Sequence, residues 1–436
     1  MDAETALEAA TPGRGVADGR TNWSGNYRYS TDRLLKPASV AEVQSAVRGV
    51  SSLRALGSRH SFNGIADSMV AQISVTRLDS MEFDREARTV TIGGGVRFGE
   101  LAPWLHARGF ALHNLASLPH ITVVGACATG THGSGVTNGN LSTAVAAIEF
   151  VKANGDLVQL SRSIDGDRFN GAVVALGALG IVTRITLDVQ PTFSVRQNVY
   201  LDMPFSTLER NFHAIFSAGY SVSVFTDWRE SRATQVWIKS RVEPGVPVDL
   251  APEFFGARAA TRRMHPLLNH PAENSTEQMG VAGRWYERLP HFRMDFIPSS
   301  GQEIQAEYFV PRAMGMAAVR AVEELRDEMA PLLFVSELRT IAADDLWLSP
   351  CYRQDSVALH FTWRPDWAAV RQVLPRLEMK LEPFAVRPHW GKVFTMAPGV
   401  IQSRYERLPA FRALMAEMDP EGKFRNAFLA TTLFGS

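Results

Sequence analysis

Six side chains on three short apolar stretches are the first sign of chemistry in this sequence. Gln305 and Glu307 fall in Ile304–Val310, Glu337 and Arg339 in Phe334–Ile341, and His360 and Thr362 in Val357–Trp363. Successive side chains of a strand alternate faces, so each pair shares one face. Strands of this kind present a polar floor when their other face packs on helices. Such a floor suits a polyhydroxylated ligand, because every hydroxyl needs a donor and an acceptor. The same pattern also fits a solvated sheet face with ion pairs. Lys392 belongs with this group. Lysine occurs only at Lys36, Lys152, Lys239, Lys380, Lys392 and Lys423. Lys392 lies between Trp390 and the apolar pair Val393–Phe394, where a charge needs a partner or a task.

Two small-residue segments stand in the first half. Gly57-Ser58-Arg59-His60-Ser61-Phe62-Asn63 follows a short apolar strand. Glycine and small hydroxyl residues let backbone N–H groups converge on an anion, although ordinary turns share this composition. Gly125-Ala126-Cys127-Ala128-Thr129-Gly130-Thr131-His132-Gly133-Ser134-Gly135 lets a backbone lie close against a flat or charged ligand. It is neither a Walker A loop nor a GxGxxG fingerprint, and no strand–turn–helix context surrounds it. Ala116-Ser117-Leu118-Pro119-His120 precedes it.

The elements that must position these residues follow from periodicity. Pro37–Val50 is predicted as a helix burying Val40, Val43 and Val47. Strands are expected at Leu53–Leu56, Val70–Ser74, Thr89–Ile92 and Gly180–Val189, and helices at Phe98–Arg108 and Phe169–Leu176. Asn154-Gly155, between Ile148–Val151 and Val158–Leu160, signals a two-residue hairpin. The pattern changes near Pro191. Val222–Trp228 and Gln235–Val242 alternate as antiparallel strands do. Residues 243–300 have weak periodicity and are expected as surface or lid-forming loops. Helices over 311–330 and 366–380 separate the three strands of the polar floor, and helical patterns return over Arg404–Phe428. The fold class is α+β.

Composition narrows the function classes. A chain of 436 residues suits two or three domains. Lys and Arg total 45, as do Asp and Glu, so no basic field exists to hold nucleic acid or an anionic membrane. No apolar run reaches the length of a membrane span. The first 20 residues lack a basic start followed by an apolar core, so they are expected to be a flexible polar tail rather than a signal peptide. Two cysteines, Cys127 and Cys351, make no disulfide framework, and no Cys/His cluster has zinc spacing. A cytoplasmic setting fits, with no metal.

The two glycine segments together resemble the FAD-binding domain of vanillyl-alcohol-oxidase-type flavoproteins. With His389-Trp390-Gly391-Lys392, the run Gly130–Gly135 is similar to the aldonolactone-oxidase branch. Within that branch Gly57–Asn63, Ala116–His120, Tyr352–Trp363 and Arg387–Val393 look most like the bacterial alditol (xylitol) oxidases. The resemblance runs from about Thr21 to the C-terminus. It implies a two-domain FAD-linked oxidase, with a PCMH-type FAD-binding domain over 21–191. An antiparallel-sheet substrate domain, helices on one face, is expected over 192–397. Residues 398–436 would return to the FAD domain.

The resemblance also assigns roles. Cofactor contacts fall on Leu56, Gly57, Ser58, Arg59, His60, Ser61, Phe62 and Ser117. Others fall on Thr122, Gly125, Thr129, Gly130, Thr131, His132, Ile181 and His389. His60 matches the histidine that bonds covalently to the flavin. Ser117, Gln305, Glu337, Arg339, Thr362 and Lys392 match substrate contacts, with Glu337, Arg339, His360 and Lys392 as the catalytic set. His360 or Lys392 would assist proton removal, and the sequence does not choose between them. The implied substrates are a linear polyol such as xylitol or sorbitol, and dioxygen. The implied products are an aldose and hydrogen peroxide, made by a soluble monomer. Ala116 matches a position where side-chain size would gate oxygen. Two departures stand out: Arg59 replaces a family glycine and Phe98 a family tyrosine. A sugar-lactone oxidase or dehydrogenase of the same fold is the nearest alternative, and a catalytically idle flavoprotein is another.

Overall fold

The computed structural model describes residues 20–243, 251–268, 270–294 and 303–435. The tail expected over 1–20 therefore lies outside the described residues except for Arg20. The first predicted helix spans Val40–Arg48, and the Ser39 side chain accepts from the Glu42 amide at its start. Its Val43 and Val47 pack on Leu53, Ala71 and Ile73. Those residues belong to a parallel three-stranded sheet of Leu34–Leu35, Ala71–Ile73 and Leu53–Ala55. A second, antiparallel sheet orders Met81–Asp84, Thr89–Gly93, Ile181–Asp188, Val145–Val151 and Leu157–Ser161. Ile181–Asp188 buries alternate side chains, as its period-2 sequence demands.

The Asn154-Gly155 signal marks a true reversal, but the turn is longer than two residues. Val151 pairs with Leu157, so residues 152–156 form the loop. Asn154 Oδ1 accepts from the Asp156 amide at 3.0 Å, and the Lys152 amide donates to the Asp156 carbonyl at 3.0 Å. These bonds favour the wider loop. The helix expected over Phe169–Leu176 instead spans Arg162–Val173, broken at Gly166, and stops before Leu176 at φ 54°. That left-handed residue turns its carbonyl toward Arg54. Arg54 is buried and donates to the carbonyls of Ile65, Leu176, Gly177 and Phe424. It thereby ties four segments together.

One large sheet organises the second half. Its order is Glu253–Phe254, Ala257–Ala259, Ser194–Pro204, Arg232–Val242, Ser221–Thr226, Leu333–Ile341, Ser356–Trp363, Ile304–Pro311 and Arg387–Pro388. Gly283–Arg284 pairs alongside Ser194–Pro204. Ala306, Tyr308, Leu338, Leu359 and Phe361 are fully buried on one face. Gly315–Glu323 and Trp367–Leu381 cover that face through Val319, Val322, Val370 and Leu374. The opposite face is the polar one. Register sets Glu307 and Glu337 on either side of His360, and Gln305 opposite Thr362.

Two expectations for this half need correction. The helix over 311–330 is broken into Gly315–Glu323 and Arg326–Met329, because Leu325 leaves helical geometry (φ −96°, ψ 6°) and buries its side chain. The loops expected over 243–300 are partly internal. Residues 244–250, 269 and 295–300 lie outside the described residues. Of the rest, Ser275, Gln278, Trp285 and His291 are buried. Gln278 binds both the amide and the carbonyl of Met264 at 2.8 Å, and Gln235 donates to the His265 carbonyl at 2.8 Å. Side-chain-to-backbone bonds hold this cover on the sheet, so no apolar period marks it.

The chain beyond Pro398 packs on the first half. Phe411, Leu414 and Met418 share a core with Phe98 and Leu101. The Leu53 amide donates to the Lys423 carbonyl at 3.0 Å. Among the described residues no helix is long and apolar enough to cross a membrane, and no group of His, Cys, Asp or Glu is arranged to hold a metal ion.

Candidate active site

A cavity of about 320 Å³ extends from the Leu56–Phe62 loop to the polar face of the large sheet. Its inner wall has little side chain: Ala55, Gly57, Gly94, Gly125, Ala126 and Gly180 all border it. A Cβ on Gly57 or on Gly125 would stand 2.7 Å from Thr122 Oγ1, and one on Gly180 would stand 2.5 Å from the Val151 carbonyl. Glycine at these positions lets segments of the chain pack closely on one another along the groove wall. The glycine-rich run read as a loop opens instead as a helix, Val123–Ala128, with Thr122 as its N-cap. Small residues allow it to sit tight against the Gly57–Asn63 turn, where Ser58 Oγ accepts from the Thr122 amide at 3.3 Å. Arg59 adopts φ 63°. A family glycine there has a backbone reason, and a side chain costs about 1 kcal/mol in that region.

The floor is a hydrogen-bonded charge network. Glu307 Oε1 accepts from Arg339 Nη2 at 2.7 Å and from His132 Nε2 at 3.1 Å. Glu337 Oε1 accepts from His291 Nε2 at 2.7 Å, and its Oε2 lies 3.6 Å from Arg339 Nε. Burial pushes the Glu307 carboxyl up, but His132 and Arg339 outweigh it and hold the group well below the usual carboxylate range. Burial likewise opposes ionisation of Glu337, and Arg339 and His291 again prevail. Gln305 Oε1 accepts from Lys392 Nζ and, at 3.2 Å, from His360 Nε2, while Gln305 Nε2 donates to Glu303. An amide oxygen only accepts, so the His360 proton sits on Nε2. Burial lowers His360 to about 3 and Lys392 to about 8. Lys392 Nζ also lies 4.8 Å above the Phe62 ring.

At the loop end His60 Nδ1 donates to the Ser58 carbonyl at 3.0 Å, and its ring stacks on Trp23 at 5.0 Å. Burial lowers His60 to about 4, with Lys392, His120 and Arg97 adding to the effect. The ring is therefore neutral and keeps one nitrogen unprotonated.

The cavity brings together Leu56 to Phe62, Ser117, Thr122, Gly125, Thr129, Thr131, His132, Ile181 and His389 with Gln305, Glu337, Arg339, His360, Thr362 and Lys392. Gly130 does not border it. It turns at φ 68°, and a Cβ there would meet Pro350 Cδ at 2.9 Å. Phe98 is also absent from the lining and sits in the core beside Leu101 and Val123, so that departure leaves the cavity unchanged. Sequence reasoning missed His291, Glu303 and Arg54. Glu303 precedes Gln305 by two residues and so shares its face, a signal that was available. His291 sits in an aperiodic segment and had none.

Comparisons with known proteins agree with this geometry. A family model described as an FAD binding domain matches residues 31–161, and one described as D-arabinono-1,4-lactone oxidase matches residues 299–432. The structure of a solvent-stable cholesterol oxidase shares the fold, with a TM-score of 0.77 over 95% of this chain and 97% of that one at 16% identity. Alditol oxidase of a Streptomyces species is 49% identical over 421 residues, covering 95% of this chain and 99% of the relative. The chain belongs to the alditol oxidase family. L-gulono-1,4-lactone dehydrogenase of Mycobacterium tuberculosis is a more distant relative, 28% identical over 95% of this chain and 98% of that one. Membership of the alditol oxidase family makes the chain an oxidoreductase with the expected two-part FAD oxidase fold. The FAD-binding match covers the groove wall from Ala55 to Ala126 but ends before Gly180, and the lactone-oxidase match covers the floor strands from Gln305 to Thr362.

Proposed function

We propose that this protein is an FAD-dependent alditol oxidase. It converts the terminal hydroxyl of a linear polyol, such as xylitol or sorbitol, to the aldose, with dioxygen reduced to hydrogen peroxide. One observation carries the reading. The glycine-walled groove opens onto a floor where carboxylate, guanidinium, amide and imidazole groups from three adjacent strands share one face. The groove fits FAD: glycine and alanine at Ala55, Gly57, Gly94, Gly125 and Ala126 keep its wall low, and the backbone of the Gly57–Ser61 turn would hold the diphosphate. When bound, FAD supplies the hydride acceptor and the electrons for dioxygen. The family resemblance supports His60 as its covalent tether, and supports a monomeric enzyme with FAD-domain limits near 21–191; the two lone cysteines fit a cytoplasmic setting.

The chain's own residues then bind, orient and deprotonate. Glu337 and Arg339 accept from and donate to substrate hydroxyls, fixing which carbon reacts. Ser117, Gln305 and Thr362 add neutral partners. Proton removal falls to Lys392 rather than His360. An imidazole near 3 is too weak a base at neutral pH, whereas an amine near 8 is matched to it. A base must be unprotonated, so kcat/KM rises with pH and levels off above about 8. Lys392→Met removes this limb and slows anaerobic flavin reduction by roughly 10²-fold. A pH profile with the same limb in the variant would reassign the base.

The reading is tested by the visible spectrum of the purified protein, recorded anaerobically before and after xylitol. Bleaching that reverses on admitting air is the expected result. A yellow protein that xylitol leaves unbleached but a gulono- or galactonolactone bleaches would favour the lactone-oxidising alternative, which the 28% identical dehydrogenase and the lactone-oxidase family match make the second reading. A yellow protein inert to every polyol and lactone would favour a binding role.

A further inference from the structure

Two side chains that line the cavity, Glu337 and His291, lead to a third outside its lining, Lys239. Glu337 accepts from His291 Nε2 at 2.7 Å, and Lys239 Nζ lies 3.1 Å from His291 Nδ1. Lys239 is 1% exposed. Its other two partners are the carbonyls of Leu289 at 2.5 Å and Pro290 at 3.1 Å. Three acceptors match the three protons of an ammonium group. In its ammonium form Lys239 only donates, which places a lone pair on His291 Nδ1 and the proton on Nε2, the same tautomer that the Glu337 carboxylate at 2.7 Å requires. That proton points at Glu337 Oε1. The ring cannot turn freely, because Phe225, Trp237 and Phe292 pack edge-on around it. Burial lowers Lys239 to about 7, and Glu337 opposes that shift.

We propose that Lys239 and His291 are positioning residues that fix the His291 tautomer and so hold Glu337 ionised, with Oε1 occupied and Oε2 left for a substrate hydroxyl. The last clause rests on the substrate role proposed for Glu337, whereas the tautomer does not. A methionine at 239 has nearly the shape of lysine and no donor. Nδ1 can then take the proton, leaving a lone pair on Nε2 against a carboxylate. Two acceptors repel, so Glu337 must bind a proton to restore the bond. Other charged or titratable groups face this pair: Arg339 on the same strand, His360 on the next, Glu307 on the one beyond it, and Lys392 beyond Gln305. None of them donates to His291 Nδ1. Burial keeps His291 neutral, near 4, so the ring itself does not titrate in the working range.

The test uses ¹⁵N-histidine-labelled holoprotein, with His291 assigned by its loss in His291→Gln. Wild type is expected to show the Nε2–H tautomer, and Lys239→Met a shift toward Nδ1–H. In parallel, kcat/KM for xylitol should fall about tenfold at neutral pH in Lys239→Met. It should also gain an acid-favoured component, as Glu337 titrates higher. His291→Gln keeps a donor toward Glu337 and an acceptor toward Lys239, so it should retain most activity and the wild-type pH profile. His291→Phe should not. An Nδ1–H tautomer in wild type overturns the proposal, as does a Lys239→Met enzyme with an unchanged pH profile. If xylitol proves not to be a substrate, the polyol reading fails while the NMR tautomer still decides the relay.

Discussion

Arg339→Ala is expected to lower the rate of anaerobic flavin reduction by a polyol on the order of 10³-fold while leaving the flavin spectrum nearly unchanged. The size follows from what the guanidinium does twice over. It donates to Glu307 Oε1 at 2.7 Å, and it lies 3.6 Å from Glu337 Oε2. In the substrate complex it would also donate to a hydroxyl and fix the reacting carbon, and loss of such positioning and preorganised charge multiplies. Removing it leaves the two buried carboxylates with His132 and His291 as their remaining partners, and deleting one partner of a buried pair costs about 3–5 kcal/mol. The sign of the pH effect can be worked out. In the wild type Arg339 holds both carboxyls down, so their stabilisation persists above the ordinary carboxylate pKa and is lost only in acid. In the variant burial is less opposed, both carboxyls rise, and the folded form binds protons more readily than the unfolded one. Its stability deficit therefore narrows as pH falls from about 8 toward about 5. Arg339→Lys keeps the charge but loses the fork that spans Glu307 and Glu337, and should recover only part of the rate. Stopped-flow reduction and thermal melting across pH check both statements. An undiminished rate in Arg339→Ala would remove Arg339 from the site.

Much of the floor was legible because strand periodicity is a strict code. A period of two places Gln305 with Glu307, Glu337 with Arg339, and His360 with Thr362, whatever the rest of the chain does. Which strands are neighbours is not in that code. Glu307 and Glu337 share His360 because Ser356–Trp363 is inserted between Leu333–Ile341 and Ile304–Pro311, an order fixed by tertiary packing of the helices behind them. The glycine groove was legible as composition but not as shape. Residues 123–128 form a helix whose short run of small residues carries no amphipathic period. The relay through His291 was not legible at all. Its segment is held by Gln278, Gln235 and Lys239 through bonds to backbone carbonyls and amides, and such bonds leave no repeat in sequence. Arg54 is the same case, with four carbonyl partners drawn from three distant parts of the chain.

His60→Ala is expected to convert bound FAD from a fraction that stays with denatured protein into one that is wholly released. Two physical facts make His60 a suitable tether. It borders the cavity in a turn whose backbone is set by neighbours: the Trp23 amide donates to the Arg59 carbonyl at 2.8 Å, and the Phe62 amide donates to the Gly391 carbonyl at 2.8 Å. Burial then lowers the imidazole to about 4, and the Ser58 carbonyl takes its single proton. A neutral imidazole keeps a lone pair available to form a bond to carbon, which a protonated ring would not. Stacking on Trp23 at an interplanar angle of 18° limits the directions that lone pair can take. An attached histidine withdraws electrons from the flavin and makes it a stronger oxidant, which matters for primary alcohols because they are poor hydride donors. The variant should therefore show two changes together: flavin in the supernatant after acid precipitation, and a lower flavin reduction potential in any protein that retains FAD without a bond. His60→Ala is also expected to fold, since the ring's one hydrogen bond is to a neighbour two residues away and the loop's backbone bonds do not involve it. Flavin that remains in the pellet of the variant would place the covalent bond elsewhere. Flavin that is already free in the wild type would show that this chain holds FAD by the groove alone.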